Sequence, residues 1–349
     1  MNHKDMTFAS AVNDAIATEM RRDEKVISIG LGHNDPKRIF GTTAGLMEEF
    51  GPERAREMPI SENAVTGVLV GLGLKGFKPI LTHQRVDFAL LSMDQIVNSA
   101  AKWRLMFNRV QGLPLVIRMI IGRGWGQGPT HSQSLQSWFA HIPGLKVLMP
   151  SNARDAKGML AYAIQDPNPV IFLEHRWLHN THDNVPVQRF TINPLLPKVV
   201  SEGTDCTVVA SNIMVVEALK AKKHLERYNI NLEVIDVASI RPFECAPIVE
   251  SVEKTHNLIV LDNENLIGSF SAEIISQICE RCFSSLHSEP VRLASVDLPF
   301  PTSHALTKNI YADANTLIDA ISKKFDVQIP LIEKSMPHDI PGNWFNGPF

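Results

Sequence analysis

The stretch Met58–Ile80, MPISENAVTGVLVGLGLKGFKPI, decides the architecture. From Ser61 to Leu74 it is small and apolar on every side, which predicts a helix buried all round. Its last residues open the run KPILTH (78–83), apolar and of strand length. The same alternation continues outward in both directions. Upstream, Thr7 is placed to cap a helix that carries Phe8, Val12, Ala15, Ile16 and Met20 on one face, and KVISIG (25–30) reads as a strand. Downstream, FALLSMDQIVNSAAKWRLMF (88–107) reads as one long helix and LPLVIRMII (113–121) as a strand. A Gly-rich loop and a short helix around SLQSWFAHI follow. Strand LKVLMP, helix ARDAKGMLAYAIQ and strand PVIFLEH (169–175) complete this unit. The strands are continuous β-branched runs rather than alternating ones, so the sheet is parallel and covered by helices on both faces.

From His179 to about Gly203 the pattern breaks into polar, proline-punctuated sequence, and the alternation then restarts with CTVVAS, VVEALKAKKHLERY, LEVIDV, PFECAPIVESVEKT, NLIVLDNE, AEIISQICERCF, VRLASVD and ANTLIDAISKKF. The expected organisation is an α/β domain over 1–180, a linker over 181–203, a smaller α/β domain over 204–328 and an irregular tail over 329–349, with Pro330, Pro337, Pro341, Gly342 and Gly347. A length of 349 residues agrees with two domains at ~150 residues each.

Composition narrows the function. With 34 basic and 37 acidic residues the formal net charge is -3, which lacks the cationic surplus that nucleic-acid binding needs. No apolar run approaches the ~18 residues of a membrane span. The first 25 residues carry Lys4, Asp5, Asp14, Glu19, Arg21 and Arg22 without an apolar core segment, so no secretion signal is expected. The four cysteines, Cys206, Cys245, Cys279 and Cys282, are then expected as reduced thiols in the cytoplasm. Cys279 and Cys282 form a single CxxC inside a helical pattern, which reads as two thiols on one helix face rather than a zinc site.

Candidate chemistry concentrates at a few positions. Glu62 opens the Gly-rich helix, where a first-turn carboxylate complements the helix dipole behind a Ser61 cap. The apolar helix behind it also suits that carboxylate to a proton shuttle. The loop Gly122-Arg123-Gly124-Trp125-Gly126-Gln127-Gly128 leads into His131, but neither GxGxxG nor GxxxxGK[ST] is present, so it reads as a loop presenting His131 at the strand ends rather than a phosphate cradle. His175, His179 and His182 lack the spacing of a metal site on one helix face. His304, on a proline-rich turn, says nothing alone.

Together, MPISENAVTGVLVGLGLKGFKPI, MDQIVNSAAKWR, the run from His131 to His175, and DLPFPTSHAL resemble the beta subunits of the thiamine-diphosphate-dependent decarboxylating component of 2-oxo-acid dehydrogenases, of the pyruvate and branched-chain type. The likeness runs in order from about residue 5 to 325. It implies a pyrimidine-binding domain followed by a transketolase C-terminal-like domain, in an α2β2 heterotetramer. Glu62 takes the place of the glutamate that hydrogen-bonds the aminopyrimidine and activates the cofactor. Ile60 and Phe88 fall at cofactor-binding positions, Phe88 against the pyrimidine. His131 matches the histidine that assists substrate binding and acyl handover to a lipoyl carrier. Leu115, Ala163, Ile164, Asp166 and Asn168 match positions that hold a monovalent cation such as K+, mostly through main-chain oxygens.

The diphosphate motif, GDG followed downstream by Asn, is missing, so Mg2+ and the diphosphate are expected on a separate alpha subunit, at whose interface the site closes. Thr82 and His83 replace the usual acidic and apolar residues after the strand, and Arg85 follows. With His131 on the substrate side, His83 and Arg85 point to a larger, more polar or more anionic 2-oxo acid. Arg123 and Trp125 also replace small residues, which leaves the acceptor open. The competing readings are a split transketolase-like enzyme or carboligase that passes an aldehyde or two-carbon unit to an aldehyde or sugar, and a non-catalytic scaffold. A lipoyl acyltransferase partner belongs to the first reading.

Overall fold

A computed structural model describes residues 2–108, 110–122, 127–307 and 309–333. Arg123, Trp125 and the tail residues Pro337, Pro341, Gly342 and Gly347 lie outside them.

The first half builds six strands of a seven-stranded sheet and the second half adds Ser239–Arg241 at its edge, in the order Ser239–Arg241, Lys146–Leu148, Pro169–His175, Leu115–Ile121, Lys78–His83, Val26–Gly30, Ala55–Glu57. All its pairings are parallel except that of the first two strands. Helices Phe8–Arg22 and Ala153–Gln165 cover one face with Val12, Ile16, Met20 and Leu160. Leu69, Val70, Ile96 and Phe139 pack on the other. The Thr7 cap is made, its side chain accepting the Ser10 N–H.

The second half forms a five-stranded sheet in the order Val291–Ser295, Leu258–Asn265, Cys206–Ala210, Leu232–Asp236, Lys198–Ser201, parallel except for the last strand. Among the described residues no helix is long and apolar enough to cross a membrane. Cys279 and Cys282 lie on helix Phe270–Cys282, both as free thiols.

Several expectations need correction. The 181–203 segment is not a plain linker. His182–Pro186 pairs antiparallel with a terminal strand, His3–Thr7, and Lys198–Ser201 joins the second sheet. The 88–107 helix is not uniform: a short helix Val86–Ala89 tightens to a 3-10 turn at Leu90–Ser92, widens to a π segment at Gln95–Ala100 and ends as Trp103–Met106. Ser61 stands at the start of helix Glu62–Leu74 but makes no side-chain cap. That helix is not buried all round either. Ala64, Val68, Gly71 and Lys75 are exposed along one stripe, with Val68 62% exposed. The all-apolar pattern therefore does not describe a core helix of this chain, which leaves the stripe uncovered.

Candidate active site

Parallel strands end together, and here the carboxyl ends of five of them deliver Gly30, Glu57, His83, Ile121 and His175 to one edge of the sheet. Ligands of open α/β sheets collect at such edges. Glu57 closes one side by accepting the Gly32 and Asn34 N–H groups at 2.6 and 2.7 Å. Five residues on, Glu62 opens its helix. It is only 7% exposed, and its carboxylate has no hydrogen-bond partner among the described residues. Ile60, beside it, is 80% exposed.

Phe88 and His131 come together directly. Their rings meet edge-on, centroids 5.3 Å apart and planes at 90°. Two short-range choices produce this contact. Arg85 starts the helix that carries Phe88, and Gly128 at φ +74 opens the turn that closes on His131. The His131 Nδ1 lies 3.1 Å from the Thr130 hydroxyl. Two residues on, Gln133 donates to Asp87 at 2.7 Å, and its carbonyl accepts the Gly122 N–H.

His83 and Arg85 sit beneath this pair and are both 3% exposed. Burial pushes the His83 imidazole down to about 4, and its Nε2 has no partner. Arg85 donates to the Gly122 carbonyl at 3.0 Å and to the Gln127 side chain, while its Nε finds no acceptor. Burial lowers the guanidinium to about 10 against the opposing pull of Asp87. A buried cation held by neutral oxygens is costly unless an anion completes it.

Behind them lies a network that sequence reading missed. Arg118 grips Glu174 with Nε and Nη2 at 2.6 and 2.9 Å and reaches the Thr82 hydroxyl at 3.1 Å. Glu174 also meets His179 Nε2 at 3.2 Å. Burial alone would raise the Glu174 carboxyl, but Arg118 and His179 outweigh it and hold it near 2. Burial takes His179 down to about 4. The available signal was a charge inside each of two apolar strand runs, LPLVIRMII and PVIFLEH.

The three histidines named earlier have separate roles. His175 packs so closely on Gly122 that a Cβ there would lie 2.1 Å from its ring, His179 serves Glu174, and His182 pairs with Asp5 at 3.1 Å. Among the described residues no group of three or more His, Cys, Asp or Glu is placed to hold a metal ion. Leu115, Ala163, Ile164, Asp166 and Asn168 gather at the opposite, amino-terminal edge of the sheet. There the Asp166 side chain is paired with Lys146 and that of Asn168 accepts from Arg104 at 2.7 Å. A cation at that edge would depend on main-chain carbonyls.

Two domain models match the chain: the transketolase pyrimidine-binding domain over residues 4–181 and the transketolase C-terminal domain over 197–317. A split-gene transketolase, solved as an inactive beta4 tetramer, superposes with a TM-score of 0.75 over 92% of this chain and 99% of that one; at 22% identity it shares the fold. These findings define a transketolase-type chain. Among curated relatives, the pyruvate dehydrogenase E1 component subunit beta of Rhizobium meliloti is 36% identical over 317 residues, 90% of this chain and 69% of its own length. The mitochondrial subunit beta of Saccharomyces cerevisiae is 35% identical over 93% of this chain and 90% of its own, and the subunit beta of Bacillus subtilis 36% over 86% and 93%. The chain belongs to the family of pyruvate dehydrogenase E1 component beta subunits.

Proposed function

We propose that this chain is the beta subunit of a thiamine-diphosphate-dependent 2-oxo-acid dehydrogenase, which decarboxylates a 2-oxo acid and passes the acyl group to a lipoyl carrier. The observation that carries the reading is the edge-on Phe88–His131 pair, set on the same strand edge as an unpaired, nearly buried Glu62. Relatives named as E1 beta subunits across most of the chain favour it over a transketolase or carboligase. The retained acid and histidine speak against a scaffold.

The donor set fits the pyrimidine half of thiamine diphosphate. Phe88 offers a ring face, and Glu62 offers a ring nitrogen a carboxylate that has no partner among the described residues. When bound, the cofactor supplies the carbon nucleophile and the electron sink for decarboxylation. Glu62 holds or releases a proton at that nitrogen. His131, fixed by Thr130 and Phe88, orients the substrate and serves the departing acyl group. Mg2+ and the diphosphate belong to an alpha subunit in an α2β2 assembly, and a K+ ion would sit on the main-chain oxygens around Leu115, Ala163, Ile164, Asp166 and Asn168. Cytoplasmic residence is part of the same reading.

His83 and Arg85 bear on the substrate. A guanidinium bound to the carboxylate that leaves as carbon dioxide would stabilise the ground state and oppose the reaction. Arg85 is better used on a polar or anionic tail of the 2-oxo acid. Co-expression with the alpha partner, followed by a screen of 2-oxo acids with an artificial electron acceptor, tests the reading. Turnover should require thiamine diphosphate and both chains, and Glu62→Gln should lower it by a factor of roughly 10² to 10⁴. An active single chain would refute the shared site. Replacing His83 by Phe together with Arg85 by Met should move preference towards apolar 2-oxo acids; an unchanged ratio of kcat/KM values would remove both residues from substrate choice.

A further inference from the structure

The loop that carries His131 is tied to the second domain by an unusual set of bonds. Asn263 donates to the Ser134 hydroxyl at 3.3 Å. Gln136 Nε2 donates to Asp262 at 3.0 Å and to the Asn263 carbonyl oxygen of the side chain at 2.6 Å. The Ser137 N–H reaches one Glu264 oxygen at 2.7 Å, and its hydroxyl meets the other. All three residues, Asp262, Asn263 and Glu264, are at most 7% exposed. They are anchored from behind, where Phe270 N–H donates to Glu264 at 3.0 Å and Ser271 N–H to Asp262 at 3.1 Å. On its other side the same loop is held by Gln133 on Asp87, one residue from Phe88.

We infer that Asp262, Asn263 and Glu264 are positioning residues for catalysis: they hold the segment 134–137 from the second domain and so fix where His131 stands against Phe88. The inference rests on the dehydrogenase reading of His131. Two buried carboxyl groups spent on one short loop are more than stability needs, since burying such groups is costly. Gln136 and Ser137, five and six residues after His131, supply donors to all three residues. A 1 Å displacement of a reacting group costs rate out of proportion to the energy involved.

Burial first, and Asp262 beside it, push the Glu264 carboxyl up to about 8. It accepts from the Ser137 N–H on one oxygen and from the Phe270 N–H and the Ser137 hydroxyl on the other. A glutamine keeps the shape and an acceptor oxygen for one of the two N–H groups, whereas alanine removes the tie.

The complex with the alpha partner and thiamine diphosphate gives the test. Glu264→Ala should lower kcat about tenfold, in line with a displaced catalytic group, with the apparent affinity for thiamine diphosphate unchanged. Glu264→Gln, which keeps one of these acceptors, should recover part of that loss. In a His131→Ala background the Glu264→Ala change should cost nothing further, because residues acting as a unit are not additive. Amide exchange over 130–137 should quicken in Glu264→Ala and return in Glu264→Gln. Losses that add in the double variant, or exchange that stays at the wild-type rate, would overturn the inference. A wild-type complex that turns over no 2-oxo acid would instead defeat the dehydrogenase reading, a result no comparison of variants imitates.

Discussion

Arg118 and Glu174 are both fully buried, at the centre of the first sheet, and neither is tolerable without the other. Their two-point contact, extended to Thr82 and His179, satisfies each charge where water is excluded. Glu174→Gln should therefore destabilise the chain by about 3–5 kcal/mol, because it strands a guanidinium. Arg118→Met with Glu174→Leu together should cost less than either alone, since the pair is then removed rather than broken. Denaturant unfolding of the wild type, Glu174→Gln, the two other single variants and the double variant at pH 7 checks this, and additive losses in the double variant would contradict it. The pH sign follows from the depressed carboxyl. Its contribution is complete above the ordinary value of 4.5 and is lost as pH falls towards about 2.

At the scale of elements, helix Glu62–Leu74 is buried on one side and open on the other. Its buried side places Thr66, Leu69, Val70 and Gly73 against the sheet, and Gly73 must stay small because a Cβ would lie 2.6 Å from Leu113. Its other side presents Ala64, Val68 and Gly71, and nothing lies within 4 Å of where a Gly71 Cβ would be. A small-residue apolar stripe beside the site suits close approach by a partner chain. Val68→Asp should abolish assembly with the alpha subunit while the isolated chain keeps its circular dichroism and unfolding midpoint; sedimentation of the mixed chains reads the outcome, and an intact complex would exclude this face. The sequence pattern foretold the helix and its glutamate because both are local. It misread the exposure because an apolar residue left open and one facing the core look alike in sequence. The 86–106 segment misled for a related reason: its apolar spacing is helical throughout, but its hydrogen bonding shifts register where it packs beneath helix Glu62–Leu74.

The whole molecule is held across its two domains by contacts no local reading could supply. Gln136 finds Asp262 across 126 positions of sequence, and strand Ser239–Arg241 leaves the second domain to pair with the first sheet. Glu62, Phe88 and His131 could be singled out in the sequence because each stands in a contiguous motif. The seam was not, because Asp236, Asp262 and Glu264 look like ordinary residues at strand ends. At the seam Ser151 donates to Asp236 at 2.5 Å, while the other Asp236 oxygen has no partner. Burial raises the Asp236 carboxyl to about 7; Asp155 adds to this, while the Ser151 hydrogen bond and Lys198 oppose it. Asp236 and Glu264 are thus both held protonated in the folded chain well above their ordinary values of 3.8 and 4.5. The unfolded chain releases these protons near those ordinary values, so the stability they contribute is complete below about 4 and is lost as pH rises through about 7 to 8. Between pH 5.5 and 8.5 the unfolding free energy should therefore fall, on the order of 1–4 kcal/mol. Asp236→Asn combined with Glu264→Gln should flatten that fall, because an amide cannot ionise in either state. Denaturant midpoints of the wild type and the double variant at the two pH values read the difference. A variant as pH-sensitive as the wild type would place the alkaline weakness away from the domain seam.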